Sequence, residues 1–202
     1  MIKAVAFDIG KVLADFAWEE YIENMPISNE YKERVKRATV LHKVWDENDR
    51  GLLTDEELLQ IMCENDMEVA EYTTQFYQDL CNFISEYPHS KELLRQVKAN
   101  GYQVYLLSNY GKTSFEYARE RFSFFEEADG EVISYEIKKV KPEPEIYQCL
   151  LDKYGLKAEE TLFVDDKIEN VEGALQMGLQ SFVWTSYEEG VKMLEERGII
   201  KR

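Results

Sequence analysis

The feature that most limits the fold of this chain is the alternation of short apolar runs with segments of helical periodicity. Runs rich in β-branched and aromatic residues occupy residues 2–9, 102–109, 131–137, 161–166 and 180–185. Helical spacing precedes or separates the last four runs, at 91–100, 114–122, 145–154 and 170–177. A glycine, the usual C-terminal stop of a helix, follows several of these segments. This order predicts an α/β fold with a doubly wound, Rossmann-like parallel sheet.

The segment after the first apolar run has a different pattern. From about Asp15 to Pro88, apolar residues recur at helical spacing, as at Leu41, Val44 and Trp45, and no strand pattern is evident. We therefore expect an all-helical insert at residues 16–88. It would interrupt an α/β core formed by residues 1–15 and 89–202.

Charge and composition limit the partners of the chain. Lys and Arg number 24 and Asp and Glu number 40, a formal net charge of −16, which disfavours nucleic acid and anionic membranes. No run approaches the roughly 20 apolar residues that span a bilayer, and the first residues do not resemble a signal peptide. The three cysteines are odd in number and far apart, which is typical of reduced thiols. We expect a cytoplasmic monomer or homodimer.

Polar side chains stand where the predicted strands end. They are Asp8 after the first strand, Ser108 and Asn109 at the second, Lys141 after the third, and Asp165 and Asp166 at the fourth. Ligands of open α/β sheets bind beyond the carboxyl ends of the strands, so these residues should converge on one crevice. Such a set suits phosphoryl transfer through an aspartyl-phosphate. Mg²⁺ would bridge the negative charges, and the lysine and serine would orient the phosphate.

The order of these residues resembles the four motifs of the haloacid dehalogenase-like hydrolase superfamily. The segments that carry the resemblance are 7–13, 107–109, 141–147 and 163–170. Together they cover essentially the whole chain in the right order, and the helical insert matches the position of the superfamily's small helical cap. The segment from about Asp15 to Pro88 is the only one long enough to cover the crevice at the strand ends, so we expect this cap to set substrate choice rather than the chemical step.

The resemblance also implies a role for each residue at the strand ends. Asp8 would be the nucleophile. The implied magnesium ligands are Asp8, the Gly10 carbonyl, Asp166 and, directly or through water, Asp165. The implied phosphate ligands are Ser108, Asn109 and Lys141. Asn170 would anchor the last loop rather than touch the substrate.

Gly10 departs from the commonest form of the first motif. Typical phosphatases of the superfamily carry a second aspartate at this position as the general acid and base. A subgroup that includes phosphatases resembling α-D-glucose-1-phosphate phosphatase shares the glycine. The resemblance therefore implies a Mg²⁺-dependent phosphomonoester hydrolase acting on a small phosphorylated metabolite, a sugar phosphate. Two alternatives stay open: another hydrolase with a nucleophilic aspartate, such as a 2-haloacid dehalogenase, and a non-catalytic phosphate-binding regulatory protein.

Residues 46–57 imitate a calcium-binding EF-hand loop. Arg50, however, would aim a cation at the metal. A simpler interpretation is that Gly51 ends one helix and that Thr54 begins the next, with Glu57 completing a capping box. We predict this helix boundary rather than a calcium site.

Other conspicuous residues are expected to be structural. Glu143 suits the first turn of a helix because of the helix dipole. The aromatic residues Trp18, Tyr21 and Trp45 of the predicted cap are expected to pack in a core rather than to contact a substrate.

Overall fold

The structure, a computed structural model, describes residues 1–201. Its strands are β1 Ala4–Phe7, β2 Ala14–Phe16, β3 Ile84–Glu86, β4 Gln103–Ser108, β5 Gly130–Ile133, β6 Thr161–Asp165 and β7 Gln180–Val183. Its helices are α1 Trp18–Glu23, α2 Asn29–Ala38, α3 Val44–Arg50, α4 Asp55–Asn65, α5 Ala70–Gln78, α6 Ser90–Ala99, α7 Lys112–Arg121, α8 Ser134–Ile137, α9 Pro144–Tyr154, α10 Ile168–Gln176 and α11 Tyr187–Glu196.

The central sheet has five parallel strands in the order β5-β4-β1-β6-β7. β1 lies in the middle, pairs with β4 on one side and with β6 on the other, and is fully buried. Parallel strands need long crossover connections, and the helices after β4, β5 and β6 supply them. The sheet confirms the predicted doubly wound α/β class.

Alternate side chains of the strands enter two separate apolar cores, one on each face of the sheet. Val5 and Phe7 of β1 belong to the first core, which also contains the apolar faces of α6 and α7. Ala4 and Ala6 belong to the second core, which contains the apolar faces of α9 and α10. The period-two side-chain geometry of a strand buried on both faces explains why β1 reads as a continuous apolar run.

The insert between β1 and α6 contains helices α1 to α5, as the sequence predicts. It also contains β2 and β3, which the sequence analysis missed. These strands form an antiparallel pair, Ala14 with Glu86 and Phe16 with Ile84. With three residues each, they are too short to show the alternation of a strand. Because the pair brings both ends of the insert together, it fits the proposed boundary of the cap near residues 15 and 89, which stays a prediction.

The third predicted strand of the sheet ends earlier than expected. The run 131–137 alternates like a strand, but β5 ends at Ile133 and Ser134 begins the short helix α8. The reason is tertiary: the buried Ser134 hydroxyl accepts a hydrogen bond from the Tyr110 backbone N–H at 2.9 Å and donates one to the Asp49 carbonyl at 2.5 Å. The strand prediction for 134–137 is therefore wrong.

The segment that resembles an EF-hand folds as a helix boundary, which confirms the simpler interpretation. Helix α3 ends at Gly51 in the left-handed conformation, with φ of 62°. Thr54 caps α4, and the Glu57 carboxylate accepts from the Thr54 backbone N–H at 2.8 Å.

Within residues 1–201, no helix is both long and apolar enough to cross a membrane.

Candidate active site

Asp8 lies at the carboxyl end of the central strand β1. Its backbone N–H donates to the carbonyl of Val164 at 2.9 Å, which extends the β1–β6 pairing, and the residue is 7% exposed. The chain then turns sharply, since the backbone N–H groups of Leu13 and Ala14 both donate to the Ile9 carbonyl at 2.8 Å. The Asp8 side chain is therefore fixed at the edge of the sheet where the sequence predicts a ligand site.

Two side chains from other strands contact the Asp8 carboxylate. The Ser108 hydroxyl, at the end of β4, donates to Asp8 Oδ1 at 2.7 Å. The Lys141 ammonium lies 2.8 Å from the same oxygen and 2.6 Å from Asp165 Oδ2, and it also donates to the Leu107 carbonyl at 2.9 Å. Lys141 is 4% exposed. A buried cation thus joins two carboxylates from different strands.

The Asn109 side chain holds the loop that carries Lys141. Asn109 Oδ1 accepts from the Lys141 backbone N–H at 2.8 Å, and Asn109 Nδ2 donates to the Lys141 carbonyl at 3.0 Å. Both ends of the side-chain amide are therefore occupied by the backbone of one residue. Contact of Asn109 with a phosphate group, through its own backbone, stays a prediction.

The two acids that follow β6 have different surroundings. Both oxygens of the buried Asp165 are occupied: the Lys167 backbone N–H and the Asn170 amide donate to Oδ1, and Lys141 and the Asn170 amide donate to Oδ2. Asn170 thus anchors the loop, as expected. Asp166 is half-buried, and no residue in the range 1–201 donates a hydrogen bond to its carboxylate. Asp166 therefore has the freer oxygens.

The donor set fits a hard divalent cation. Asp8, Asp165 and Asp166 each offer a carboxylate oxygen, and these oxygens lie within 4.8 Å of one another. Burial, with the charges of Asp8 and Asp165, raises the pKa of Asp166 to about 6, and burial also raises the pKa of Asp8. Burial by itself lowers the pKa of Lys141, but Asp165 and Asp8 raise it by more. One ammonium among three carboxylates leaves an excess of negative charge that oxygen-bound Mg²⁺ would neutralise.

A cavity of about 570 Å³ opens above Asp8 between the sheet edge and the insert. Its apolar lining includes Phe16, Trp18, Val40 and Trp45. Trp45 also stacks on Phe16 with ring centroids 5.8 Å apart. Trp18 and Trp45 pack against the core, as expected, and they also form a wall of this cavity.

Contacts between α3 and the core close one side of the cavity. The Arg50 guanidinium forms a two-pronged ion pair with Glu143, at 3.0 and 2.5 Å. Gly51 follows Arg50 in the insert, and its carbonyl accepts a hydrogen bond from the Lys138 ammonium at 2.5 Å. The expectation that Glu143 only favours the start of a helix is wrong, because its carboxylate holds the insert against the loop that carries Lys141.

Asp49 is a cavity residue that the sequence analysis did not single out. It is half-buried and lines the cavity together with Asp8. Its place in the sequence carried one indication: an acid in the last turn of α3 faces the negative end of the helix dipole, which disfavours an anion there.

Comparisons with known proteins show which proteins this chain is similar to. Residues 2–178 match the family model of haloacid dehalogenase-like hydrolases. The sesquiterpene phosphatase astK of Aspergillus oryzae is 28% identical over 178 residues, 88% of this chain and 87% of its own. The D-ribitol-5-phosphate phosphatase of Bacteroides thetaiotaomicron is 26% identical, over 90% of this chain and 91% of its own.

A solved structure supports the fold. The crystal structure of a HAD family enzyme from Bacteroides thetaiotaomicron, in complex with magnesium and inorganic phosphate, superposes with a TM-score of 0.71 at 22% identity. The superposition covers 91% of this chain and 94% of that one.

Proposed function

Because the chain belongs to the haloacid dehalogenase-like hydrolase family, we propose that it is a magnesium-dependent phosphomonoester hydrolase that acts through an aspartyl-phosphate. The observation that carries this proposal is the Asp8 carboxylate, which faces the cavity while Ser108 and Lys141 hold one of its oxygens at 2.7 and 2.8 Å. A nucleophile needs a fixed approach to the phosphorus atom, and these contacts provide one.

The residues around Asp8 supply the charge that a phosphate group requires. Lys141 stays protonated between its carboxylates and is placed to neutralise the phosphoryl oxygens. Asp8, the Gly10 carbonyl and Asp166 would hold Mg²⁺ directly. The hydrogen bonds that occupy Asp165 favour contact with the ion through water for that residue. Bound Mg²⁺ would reduce the repulsion between the carboxylate and the phosphate dianion.

The substrate class that we propose is a small sugar phosphate. The polar part of the cavity, with Asp46, Asn48 and Arg50 on the insert, offers hydrogen bonds to hydroxyl groups. The relative named D-ribitol-5-phosphate phosphatase supports the same class. These residues would contact the leaving group, because they lie on the insert and not on the strand ends that hold Asp8.

A second candidate is the monophosphate of an apolar alcohol. The wall formed by Phe16, Trp18 and Val40 favours it, since burial of apolar surface stabilises such a ligand. The relative named a sesquiterpene phosphatase supports this candidate. The two candidates differ in what they require of the cavity: hydroxyl partners in the first case and apolar contact in the second.

The test is phosphate release by the purified protein, first from p-nitrophenyl phosphate and then from a panel of sugar phosphates and farnesyl phosphate. We expect release with Mg²⁺ and none with EDTA. Asp8→Asn should abolish release and leave the far-ultraviolet circular dichroism unchanged, because an amide is neither a nucleophile nor an anionic metal ligand.

Other outcomes would identify the alternatives. Chloride release from a 2-haloacid, without phosphate release from any ester, would indicate a dehalogenase. Phosphate binding without turnover of any ester would indicate a regulatory protein. Turnover by a well-folded Asp8→Asn variant would contradict the assignment of the nucleophile.

A further inference from the structure

The position that carries the general acid in typical relatives has no side chain here. Gly10 follows Asp8 by two residues and lines the cavity. A Cβ atom built on Gly10 would meet no other atom within 4 Å, so the space beside Asp8 is open at this point. The loop from Asp8 to Lys11 therefore offers the departing oxygen of a phosphate ester no carboxyl group besides Asp8 itself, and the ammonium of Lys11 is paired with Asp15 at 2.6 Å.

We propose that Asp49, on the helical insert, is the general acid and base of this enzyme; the inference rests on the proposed phosphomonoester hydrolase function. Asp49 lines the same cavity as Asp8 and Gly10, and it lies on α3 of the insert. This placement departs from the expectation that the insert only sets substrate choice, because it gives the insert a part in the chemical step.

The backbone is held against the core at Asp49 itself and at the two residues that follow it. The Ser134 hydroxyl donates to the Asp49 carbonyl at 2.5 Å, and the next residue, Arg50, pairs with Glu143. Gly51 lies so close to the core that a Cβ atom on it would come within 2.9 Å of the Tyr135 backbone. A proton donor needs such fixed placement to be within reach of the departing oxygen.

The charge state of Asp49 suits proton transfer in both directions near neutral pH. Burial, above all, raises the pKa of Asp49 to about 7, with the negative charges of Asp46 and Asp8 adding to it and Lys167 and Lys141 opposing it. Within residues 1–201, no side chain or backbone N–H donates a hydrogen bond to the Asp49 carboxylate. Its oxygens are therefore available to a ligand in the cavity.

The other titratable groups of the cavity are less suited to this role. Burial, with the charges of Asp8 and Asp49, holds the pKa of the Tyr110 phenol well above its usual range, so it releases a proton poorly. The Glu143 carboxylate is paired with Arg50, which lowers its pKa and keeps it ionised.

Asp46 and Glu169 also line the cavity, but both are exposed to solvent. Asp166 shares the open carboxylate and the half-buried position, but it is assigned above to the metal site with Asp8 and Asp165. Asp49 is the half-buried acid of the cavity that has an open carboxylate and lies outside that site.

The proposed steps balance as follows. An Asp8 oxygen bonds to phosphorus while the phosphorus–oxygen bond to the leaving group breaks, and the leaving oxygen takes the proton of the Asp49 carboxyl group. The Asp49 carboxylate then removes a proton from water as the water oxygen bonds to phosphorus. The bond between phosphorus and Asp8 breaks, inorganic phosphate leaves, and Asp49 is protonated again.

The test compares Asp49→Asn with the wild-type enzyme on two esters in single-turnover and burst experiments. For an alkyl phosphate we expect the first step to slow by about 10²- to 10⁴-fold, because an alkoxide leaves poorly without a proton. For p-nitrophenyl phosphate the first step should change only a few-fold. Hydrolysis of the aspartyl-phosphate, the second step, should be slow in Asp49→Asn. The variant should therefore release a burst of about one equivalent of nitrophenol.

Two variants control for structural effects. Asp49→Glu keeps the carboxyl group and should retain more of the alkyl phosphate rate than Asp49→Asn. Glu56→Gln removes one negative charge from the neighbouring helix α4 at an exposed residue outside the cavity, and it should keep both rates. The wild-type alkyl phosphate rate should fall above about pH 7, as the acid loses its proton, and Asp49→Asn should lack this fall.

The possible results separate the two proposals. Equal loss of the first step on both esters would mean that Asp49 is structural, and unchanged rates on both would mean that another group supplies the proton. Either result overturns the role of Asp49 while the hydrolase function stands. Absence of any ester hydrolysis by the wild-type enzyme would overturn the proposed function itself.

Discussion

The strongest stability prediction concerns the buried ammonium of Lys141. It lies 2.8 Å from an oxygen of Asp8 and 2.6 Å from an oxygen of Asp165, and its side chain is 1% exposed. Removing one partner of a buried ion pair leaves uncompensated charge and costs about 3–5 kcal/mol. Methionine has a similar length and volume, so cavity formation adds little. We expect Lys141→Met to lower the free energy of unfolding by about 3–5 kcal/mol near neutral pH in EDTA.

The loss of stability in Lys141→Met should grow as the pH rises. Burial already raises the pKa of Asp8 in the folded protein, and Lys141 opposes that rise, so its loss raises the pKa further. The pKa of an aspartic acid in the unfolded chain is about 3.9. When folding raises that pKa, the fold has its full stability below the unfolded value, and the stability is lost as the pH rises through the folded pKa. The variant should therefore be weakest in alkaline solution and approach the wild type as the solution is acidified.

Urea unfolding followed by tryptophan fluorescence, in EDTA at several pH values, measures this deficit. EDTA is needed because a bound cation would replace the missing charge. Lys139→Met is a matched control: its ammonium is exposed and pairs with Glu145 at 3.2 Å, so its loss should cost no more than about 0.5 kcal/mol. A Lys141→Met variant as stable as this control at about pH 7.5, or a deficit that does not change with pH, would refute the reasoning.

Three further predictions address the metal, the insert and the cavity wall. Asp166→Ala should raise the Mg²⁺ concentration for half-maximal activity about tenfold or more, which a magnesium titration measures; an unchanged titration would exclude Asp166 as a ligand. Glu143→Gln breaks the ion pair with Arg50 and should speed amide hydrogen exchange across α3, whereas wild-type exchange would show that the pair does not hold the insert. Trp18→Ala should change kcat/KM for farnesyl phosphate more than for p-nitrophenyl phosphate, and equal changes would make Trp18 only structural.

The part of the site that the sheet carries could be predicted from sequence. Parallel strands that alternate with helices place all their carboxyl ends at one edge, so Asp8, Ser108 and Asp165 had to lie near one another once the strands were identified. Lys141 joins them because its loop follows the neighbouring strand β5. The structure places these four side chains in direct contact, with N–O and O–O distances of 2.6 to 2.8 Å.

The part of the site that the insert carries could not be predicted in the same way. Helical periodicity identifies the apolar face of α3, but it does not say which part of the core the polar face meets. The packing of α3 on the core depends on contacts between residues far apart in the chain. Arg50 and Glu143 are 93 residues apart, and Asp49 and Ser134 are 85 residues apart. No local pattern encodes them.

The difference between the two halves of the site has a physical basis. The sheet positions Asp8 by repeated backbone hydrogen bonds, whose geometry is common to all parallel sheets, so the identity of the residue at the strand end is enough to locate it. The insert positions Asp49 by two particular side-chain contacts and by the close approach at Gly51, where even a methyl group would meet the core. A candidate nucleophile placed by backbone geometry can therefore be recognised from sequence, whereas a candidate acid placed by side-chain contacts becomes recognisable only when the insert is seen against the core.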